Sequence, residues 1–368
     1  MSGIVFTGGG TGGHVFPGLA VYEQLPVELQ SRVIWIGSRH GVERDIVGRS
    51  GIPYVPIPAG KLRRYFDWEN AIDVFRVGAG ILSAIRVLRR FRAQVVFSKG
   101  GFVAVPVVMA ARLLRIPILI HESDADPGLA TRLTASPADT ICVPYEETKH
   151  RFPVRLQRRV VVTGNPVRRE FHDQSARSQA LSLVGLVDDG SPMVLVTGGS
   201  LGAEQLNGIV RAGIRFLSEI SIVVHQTGRH GASAIEGIRA DARPGRYAGA
   251  PAFDREFAPL LRRADLVICR AGAGTIWELA VTGTPAVLIP LPRGASRGDQ
   301  VRNARRYADT GAAVAMNPDN LQAETVRALV EVLLRDPDRL DRMRDAARAF
   351  AHGNSAASIA ALIRRVLH

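Results

Sequence analysis

Short apolar runs punctuate the chain, each closed by glycine, proline or asparagine and followed by a stretch of helical periodicity. In the first half they read GIVFTGG, RVIWIG, QVVFSKGG, IPILIHES and TICVP. In the second half they read RVVVTGNP, MVLVTGGS, SIVVHQTG, LVICRAG and PAVLIPL. Continuous Val- and Ile-rich runs of this kind suit strands covered on both faces. Their alternation with helices predicts parallel sheets joined by right-handed crossovers. The pattern therefore predicts an α/β protein built from two doubly wound domains.

The two halves open alike: strand, GGGTGGH, helix in the first, and strand, GGSLGAEQLN, helix in the second. This is a structural echo without a sequence repeat. The boundary is expected near TGNPVRREF, about residues 163–172. Residues 1–165 would then form the first domain and 166–345 the second. The last helix, SAASIAALIRRVLH within 346–368, has the option of crossing back onto the first domain. Two such domains facing one another would leave a cleft lined by the carboxyl ends of both sheets, where ligands of this architecture bind.

The length of 368 residues fits two domains better than one core. The opening MSGIVFTGGG shows no basic leader with an apolar region, so no signal peptide is expected. No run of 18 uncharged apolar residues points to a membrane span. Cys142 and Cys269 lie far apart without metal-ligand spacing, which fits a reducing cytoplasm and no metal site.

The net charge is +13, and residues 61–92 alone hold eight basic and three acidic residues. Tyr65, Phe66, Trp68, Phe75 and Phe91 interleave with that charge. The segment reads as a nucleic-acid face, an anionic membrane surface, or a solvated helix of an arginine-rich protein. No nucleic-acid motif occurs elsewhere, so the membrane surface ranks above nucleic acid.

Glycine-rich turns let backbone N–H groups approach an anion, and the following helix adds its positive end. Neither loop carries a Walker lysine, and neither half offers a complete dinucleotide fingerprint. Tight strand-to-helix packing is an equal explanation for Gly8 and Gly9. His14, directly after the first loop, is a candidate for chemistry. Ser200 follows two glycines at a helix start, where its hydroxyl and nearby N–H groups suit a diphosphate. CRAGAGTIWELAVTG, residues 269–283, repeats the arrangement. Glu278, one turn into that helix, suits ribose hydroxyls or else faces solvent. Trp277 reads as core or domain interface.

Taken in order, TGGGTGGHVFPGLA, SKGGFVAVPVVMAA, IHESDADPGLATRL, TGNPVR, TGGSLGAEQLN, HQTG, RAGAGTIWELAVTGTPAVLIPLP and SRGDQVRNA resemble the MurG family over about residues 3–315. The glycine motifs are individually loose and their ordered set is specific. The resemblance implies a GT-B fold of two Rossmann-like domains and an inverting transfer that needs no metal or cofactor. It implies UDP-N-acetylglucosamine as donor. The implied acceptor is an undecaprenyl-diphosphate-linked N-acetylmuramyl pentapeptide, on the cytoplasmic face of the cell membrane. The protein would be peripheral there, with cell-wall synthesis proteins as further partners.

By the same resemblance, Ser200, with Leu201 and Gly202, contacts the donor diphosphate, and Arg168 lies close to the nucleotide. Glu278 takes the ribose, the backbone near Phe253 and Asp254 meets the uracil, and Ala273, Gly274 and Thr275 form a helix-start cradle. Gln300 and Asn303 meet the sugar. Thr11, Gly12 and Gly13 line the cleft toward the acceptor diphosphate. Many family members read HEQN where this chain reads HESD, which makes Asp124 the substrate-side residue there. HESD with PGLA, GKLRRY and SRGDQ marks a subgroup.

Transfer requires the acceptor 4-hydroxyl to attack the anomeric carbon as UDP departs, with helix ends and nearby donors stabilising the leaving charge. A general base takes the hydroxyl proton. The candidates are His14, whose ordinary pKa is near 6.5, and Glu122 at the end of IPILIHE. His14 is slightly favoured. The competing readings are a GT-B transferase of another pathway, a non-catalytic nucleotide-sugar-binding protein and, more weakly, a dehydrogenase.

Overall fold

The computed structural model describes residues 3–60, 68–199, 202–292, 298–351 and 353–367. The chain divides into two units: 1–168 with 353–368, and 169–352.

The first unit carries a seven-stranded sheet, entirely parallel: β1 (Gly3–Thr7), β2 (Val33–Ser38), β3 (Tyr54–Ile57), β4 (Ala93–Ser98), β5 (Ile118–His121), β6 (Thr140–Val143) and β7 (Val160–Val162). Their order is β3-β2-β1-β4-β5-β6-β7. Side chains alternate between the two faces with the strand period of two. Val5, Ile36, Val96, Ile118 and Ile120 pack with Ala84, Leu88, Val107 and Val108 of the covering helices. Ile4, Phe6, Trp35, Val95, Phe97 and Leu119 pack on the other face. The final helix, Ser355–Leu367, inserts Ala356, Ile359, Ala360 and Ile363 into that second cluster, beside Leu19 and Ala20. Their i, i+3, i+4, i+7 spacing makes one apolar stripe.

The second unit repeats the plan with β8 (Met193–Thr197), β9 (Ile222–Gln226), β10 (Tyr247–Ala250), β11 (Leu266–Cys269), β12 (Ala286–Leu288) and β13 (Ala313–Ala315). The order is β10-β9-β8-β11-β12-β13, again parallel. The helix Glu204–Ile220 covers one face through Leu206, Val210, Ile214 and Leu217.

Three details differ from the sequence reading. RVVV, counted with the second half, forms β7 and hydrogen-bonds to β6 at the edge of the first sheet. The first boundary lies after Arg168 rather than Asn165, because Thr163 to Val167 remain buried in the first unit. The second lies at Gly353 rather than 346. Pro337–Phe350 is one continuous helix, and Phe350 closes its end against Trp277 and Tyr307, with ring centroids 5.4 and 5.1 Å away. Trp277 is thus a core residue, 4% exposed.

The basic segment is helical over Trp68–Arg90; residues 61–67, which include most of GKLRRY, lie outside the described residues. Gly80, Ala84 and Leu88 form its buried face. A Cβ on Gly80 would come within 3.1 Å of Pro106 in the adjoining helix. Among the described residues, no helix is long and apolar enough to cross a membrane.

Candidate functional site

In both sheets strand order reverses beside the first strand of the unit, between β1 and β4 and between β8 and β11. Neighbouring crossovers there run to opposite faces, and the loops leaving the strand ends part and open a crevice. The sequence-predicted glycine loops sit at these two places.

In the first unit the loop after β1 turns through Gly12–His14 into the helix Phe16–Glu23, which has Pro17 in its first turn. Gly8 and Gly9 are packing glycines. A Cβ on Gly8 would stand 2.7 Å from the His14 carbonyl oxygen, and one on Gly9 would stand 2.5 Å from the Glu43 carboxylate. Thr11 and Gly13 are exposed and Gly12 is half-buried. Glu43, fully buried, braces the loop from beneath: its Oε2 accepts the Gly10 N–H at 3.0 Å and its Oε1 the Ser38 N–H at 3.0 Å.

His14 is half-buried, with Nδ1 3.1 Å from the Thr11 hydroxyl. Its ring lies against Gly100, in the loop after β4: a Cβ there would be 3.6 Å from Cδ2. That loop doubles back tightly. Gly101 has φ +83°, and any side chain on it would strike the Gly9 carbonyl. Burial, and next the charge of Lys99, lower the His14 pKa to about 4, against the pull of Glu122 and Glu43. The imidazole is therefore neutral at pH 7.

Lys99 is 2% exposed, and its Nζ donates to the Ser123 hydroxyl at 2.6 Å. Burial lowers its pKa to about 8, opposed by Glu122 and Asp124.

Glu122 does not offer the free carboxylate expected of a general base. Oε1 accepts the N–H groups of Ser123 and Asp124 at 2.7 and 3.0 Å, and Oε2 accepts that of Gly128 at 2.9 Å. These three bonds tie it to the fold of the 123–128 loop. The GNP segment holds the same loop: Asn165 Nδ2 donates to the Ser123 carbonyl at 2.9 Å, and the His121 ring meets the Gly164 carbonyl at 3.0 Å. Asp124 is half-buried at the loop's start. Arg168, the last residue of this unit, lays its guanidinium 4.6 Å from the centre of the Phe16 ring.

In the second unit Ser200 and Leu201 lie outside the described residues. Gly202 has φ +84° and approaches the Thr227 carbonyl so closely that a Cβ would lie 2.2 Å from it. The HQTG segment ties the neighbouring loops together. Gln226 donates to the Thr197 hydroxyl at 3.3 Å and accepts from the Phe253 N–H at 3.1 Å. Its side chain thereby fixes the backbone at Phe253, which is half-buried, while Asp254 is exposed.

The helix Ala273–Thr282 begins at the end of β11, with Gly274 exposed and Ala273, Thr275 and Glu278 half-buried. The helix Asp299–Asp309 supplies Gln300 and Asn303 one turn apart. Gln300 Oε1 accepts the Leu291 N–H at 2.9 Å, which leaves its amide hydrogens outside that bond. Asn303 is buried and donates to the Ala271 carbonyl at 3.3 Å, so it supports the start of the preceding helix. Arg270 donates to the carbonyls of Ile289 and Pro290 and to Gln205, each at 3.0–3.1 Å.

The structure thus brings Thr11, His14, Glu122 and Asp124 around one loop system. It brings Gly202 and Phe253 together through Thr227 and Gln226, and joins Gln300 and Asn303 to the segments beside Ala273. Sequence reasoning missed Lys99, Glu43, Asn165 and Gln226. Lys99 had a signal: a lysine at the end of an apolar strand, between Ser98 and two glycines. Glu43 had none.

The model of the glycosyltransferase family 28 N-terminal domain matches residues 4–143, and that of the family 28 C-terminal domain matches residues 193–363. The chain is 40% identical to a Treponema denticola protein named UDP-N-acetylglucosamine–N-acetylmuramyl-(pentapeptide) pyrophosphoryl-undecaprenol N-acetylglucosamine transferase, over 99% of this chain and 97% of that one. A Shouchella clausii protein of the same name is also 40% identical, over 90% and 91%. Among solved structures, Acinetobacter baumannii MurG superposes with a TM-score of 0.75 at 30% identity, covering 99% of this chain and 100% of that one. Two Rossmann-like units, each with its glycine loop at the strand-order reversal, together with these similarities place the chain in glycosyltransferase family 28, and it belongs to the MurG family.

Proposed function

We propose that the protein transfers N-acetylglucosamine from UDP-N-acetylglucosamine to the 4-hydroxyl of an undecaprenyl-diphosphate-linked N-acetylmuramyl pentapeptide, in peptidoglycan synthesis. The observation that carries this reading is the 40% identity, over 99% of the chain, with a transferase whose name states both substrates. The donor belongs to the second unit. The start of the helix Ala273–Thr282, ten residues long, offers N–H groups and positive dipole to the diphosphate, and Ser200 and Gly202 are further contacts that the family resemblance implies. Glu278 accepts from the ribose, and the Gln300 amide meets the sugar. The acceptor belongs to the first unit, with Thr11, Gly12, Gly13 and Asp124 near its diphosphate and sugar. His14, neutral at pH 7, takes the proton of the attacking hydroxyl as the glycosidic bond to UDP breaks.

The test is incubation of the protein with radiolabelled UDP-N-acetylglucosamine and a short-chain lipid-diphosphate muramyl pentapeptide in EDTA. Label is expected in the lipid. UDP-sugar binding without transfer would replace the acceptor, and no UDP-sugar binding would overturn the reading.

We also propose that the helix Trp68–Arg90 rests on the anionic cytoplasmic surface of the cell membrane, where a lipid-linked acceptor must stay. Phe75 and Leu82 are 80% and 57% exposed, and Arg76, Arg86, Arg89 and Arg90 are exposed on the same helix. Positions 75, 79, 82 and 86 share the face opposite Gly80, Ala84 and Leu88. Apolar side chains that enter the headgroup boundary, with arginines beside them, make an interfacial helix. Phe75→Ser with Leu82→Ser is expected to weaken co-sedimentation with anionic vesicles by about tenfold, an effect of apolar burial. Added salt should weaken binding of the unmodified protein. Binding indifferent to both changes would exclude this surface.

A further inference from the structure

Gln226 closes β9 and is 6% exposed. The strand register sets it beside Thr197, the last residue of β8, and beside Ala250, the last residue of β10. Its Nε2 donates to the Thr197 hydroxyl at 3.3 Å, and that hydroxyl accepts the Gly199 N–H at 3.2 Å. Its Oε1 accepts the Phe253 N–H at 3.1 Å. One buried amide therefore joins the glycine loop after β8 to residues 251–256, the loop between β10 and the helix Phe257–Arg263. Neighbouring strands stand about 4.8 Å apart, so strand ends two positions apart are separated by roughly 10 Å. A nucleoside diphosphate is long enough to touch both loops. Pro251, Ala252, Asp254 and Arg255 are exposed. Thr227 holds the root of their loop, its N–H donating to the Ala250 carbonyl at 3.0 Å, and Gln226 holds it three residues further on. The pairing selects the residue type. The Phe253 N–H needs an acceptor and the Thr197 oxygen receives a donor; an amide presents both, and a methionine of similar length presents neither.

We propose that Gln226 is a positioning residue for nucleotide selection: its buried amide fixes the backbone at Phe253 relative to the glycine loop after β8, so that the base of a nucleoside diphosphate is read while its phosphates rest on that loop. The proposal rests on the reading that the second unit takes UDP-N-acetylglucosamine, with its base at the Phe253 backbone. The edge of a uracil runs acceptor, N–H donor, acceptor. Cytosine lacks that N–H and carries an amine on the neighbouring carbon. Backbone groups reject the wrong edge when it leaves one of them unpaired. That penalty stands only where the loop cannot shift to suit either base, and the Gln226 amide supplies the fixed point. Gln226 acts through Phe253 and not on the sugar.

The experiment measures, on the full-length protein, the dissociation constants of UDP and CDP by calorimetry, and the donor KM and kcat of transfer. The ratio of the CDP constant to the UDP constant cancels any change common to the two, which carry the same diphosphate. In Gln226→Met the Phe253 N–H loses its acceptor. The ratio is expected to fall about tenfold, the scale of one well-placed hydrogen bond. Donor KM should rise by a similar factor, with kcat changing less than about threefold. Gln226→Glu keeps an oxygen for the Phe253 N–H, and the Thr197 hydroxyl can donate to its other oxygen. Its ratio should stay near that of the unmodified protein, whatever the added charge does to both affinities. If Gln226→Met fails to fold, Gln226→Asn carries the test, since its amide is one methylene too short to join both partners. An unchanged ratio in the folded Met or Asn variant overturns the proposal. So does a fall in Gln226→Glu as deep as in Gln226→Met, or an unmodified protein that binds UDP and CDP alike. Binding of neither UDP nor UDP-N-acetylglucosamine overturns the proposed function itself, and this inference with it.

Discussion

His14→Ala is expected to lower kcat by about 10²–10⁴-fold, the usual contribution of a positioned proton acceptor, with little change in the KM of the donor. The loss should be specific. Thr11 and the backbone of Gly12–His14 keep their places when the imidazole is removed, because Gly8, Gly9 and Glu43 hold the loop independently of the ring. The pH profile provides the second signature. A free histidine base would lose activity below about pH 6.5. Here burial and Lys99 set the ring near pH 4, so kcat/KM should stay flat from neutrality to about pH 5 and fall only as the pH approaches 4. Single-turnover rates across that range, on protein shown to be folded at each pH, decide the matter. A rate that falls with a midpoint of 6.5, or an alanine variant with near-normal turnover, removes His14 from the role. Glu122→Gln should behave differently. Its amide nitrogen would face one of three backbone N–H donors, so its main effect is on stability, at about 1–3 kcal/mol for an unsatisfied buried group.

Mild acid is expected to destabilise both units. His14 and His225 have pKa values lowered to about 4, and that of His121 is well below its ordinary 6.5; burial is the largest cause in each case. The charge of Lys99 adds to it for His14 and His121, and that of Arg211 for His225. All three rings are neutral in the folded protein at pH 7. As the pH falls below 6.5 the unfolded chain binds protons that the folded chain refuses, so stability is full above 6.5 and declines toward 4. At pH 5 each ring shifted from 6.5 to about 4 costs on the order of 2 kcal/mol. His14 loads this on the first unit, where His121 adds a contribution of the same sign, and His225 loads it on the second, where its ring bridges Asn207 at 3.0 Å and Tyr247 at 3.2 Å. Urea unfolding at pH 7.5 and pH 5 should show lower midpoints for both transitions at the lower pH. His225→Gln should flatten the dependence of the second transition only. Equal midpoints at the two pH values would show that these rings are not buried neutral.

The strands, the paired glycine loops and the two-domain plan were legible in the sequence. Each is written locally, in apolar runs that end in turn residues, and a local signal survives without knowledge of neighbours. GIVFTGG and MVLVTGGS each state a strand, its end and the loop beyond it. The short strands β3, β10 and β13 were not legible, since YVPI, YAGA and AVA hold too few apolar residues to stand out and form because a sheet edge is offered to them. The assignment of RVVV to the first sheet likewise depends on pairing with β6, and the second core boundary on Phe350 meeting Trp277 and Tyr307.

The residue types of the site came from the sequence, and their division of labour came from the tertiary structure. On paper both His14 and Glu122 qualify as the base, with His14 slightly favoured. In the fold, three N–H groups converge on Glu122, and the charge of a buried lysine more than eighty positions along the chain acts on His14. Hydrogen-bond satisfaction, burial and electrostatic field are sums over atoms distant in sequence. No local pattern contains those sums, and only the packed chain decides which carboxylate gathers backbone N–H groups and which imidazole is held neutral.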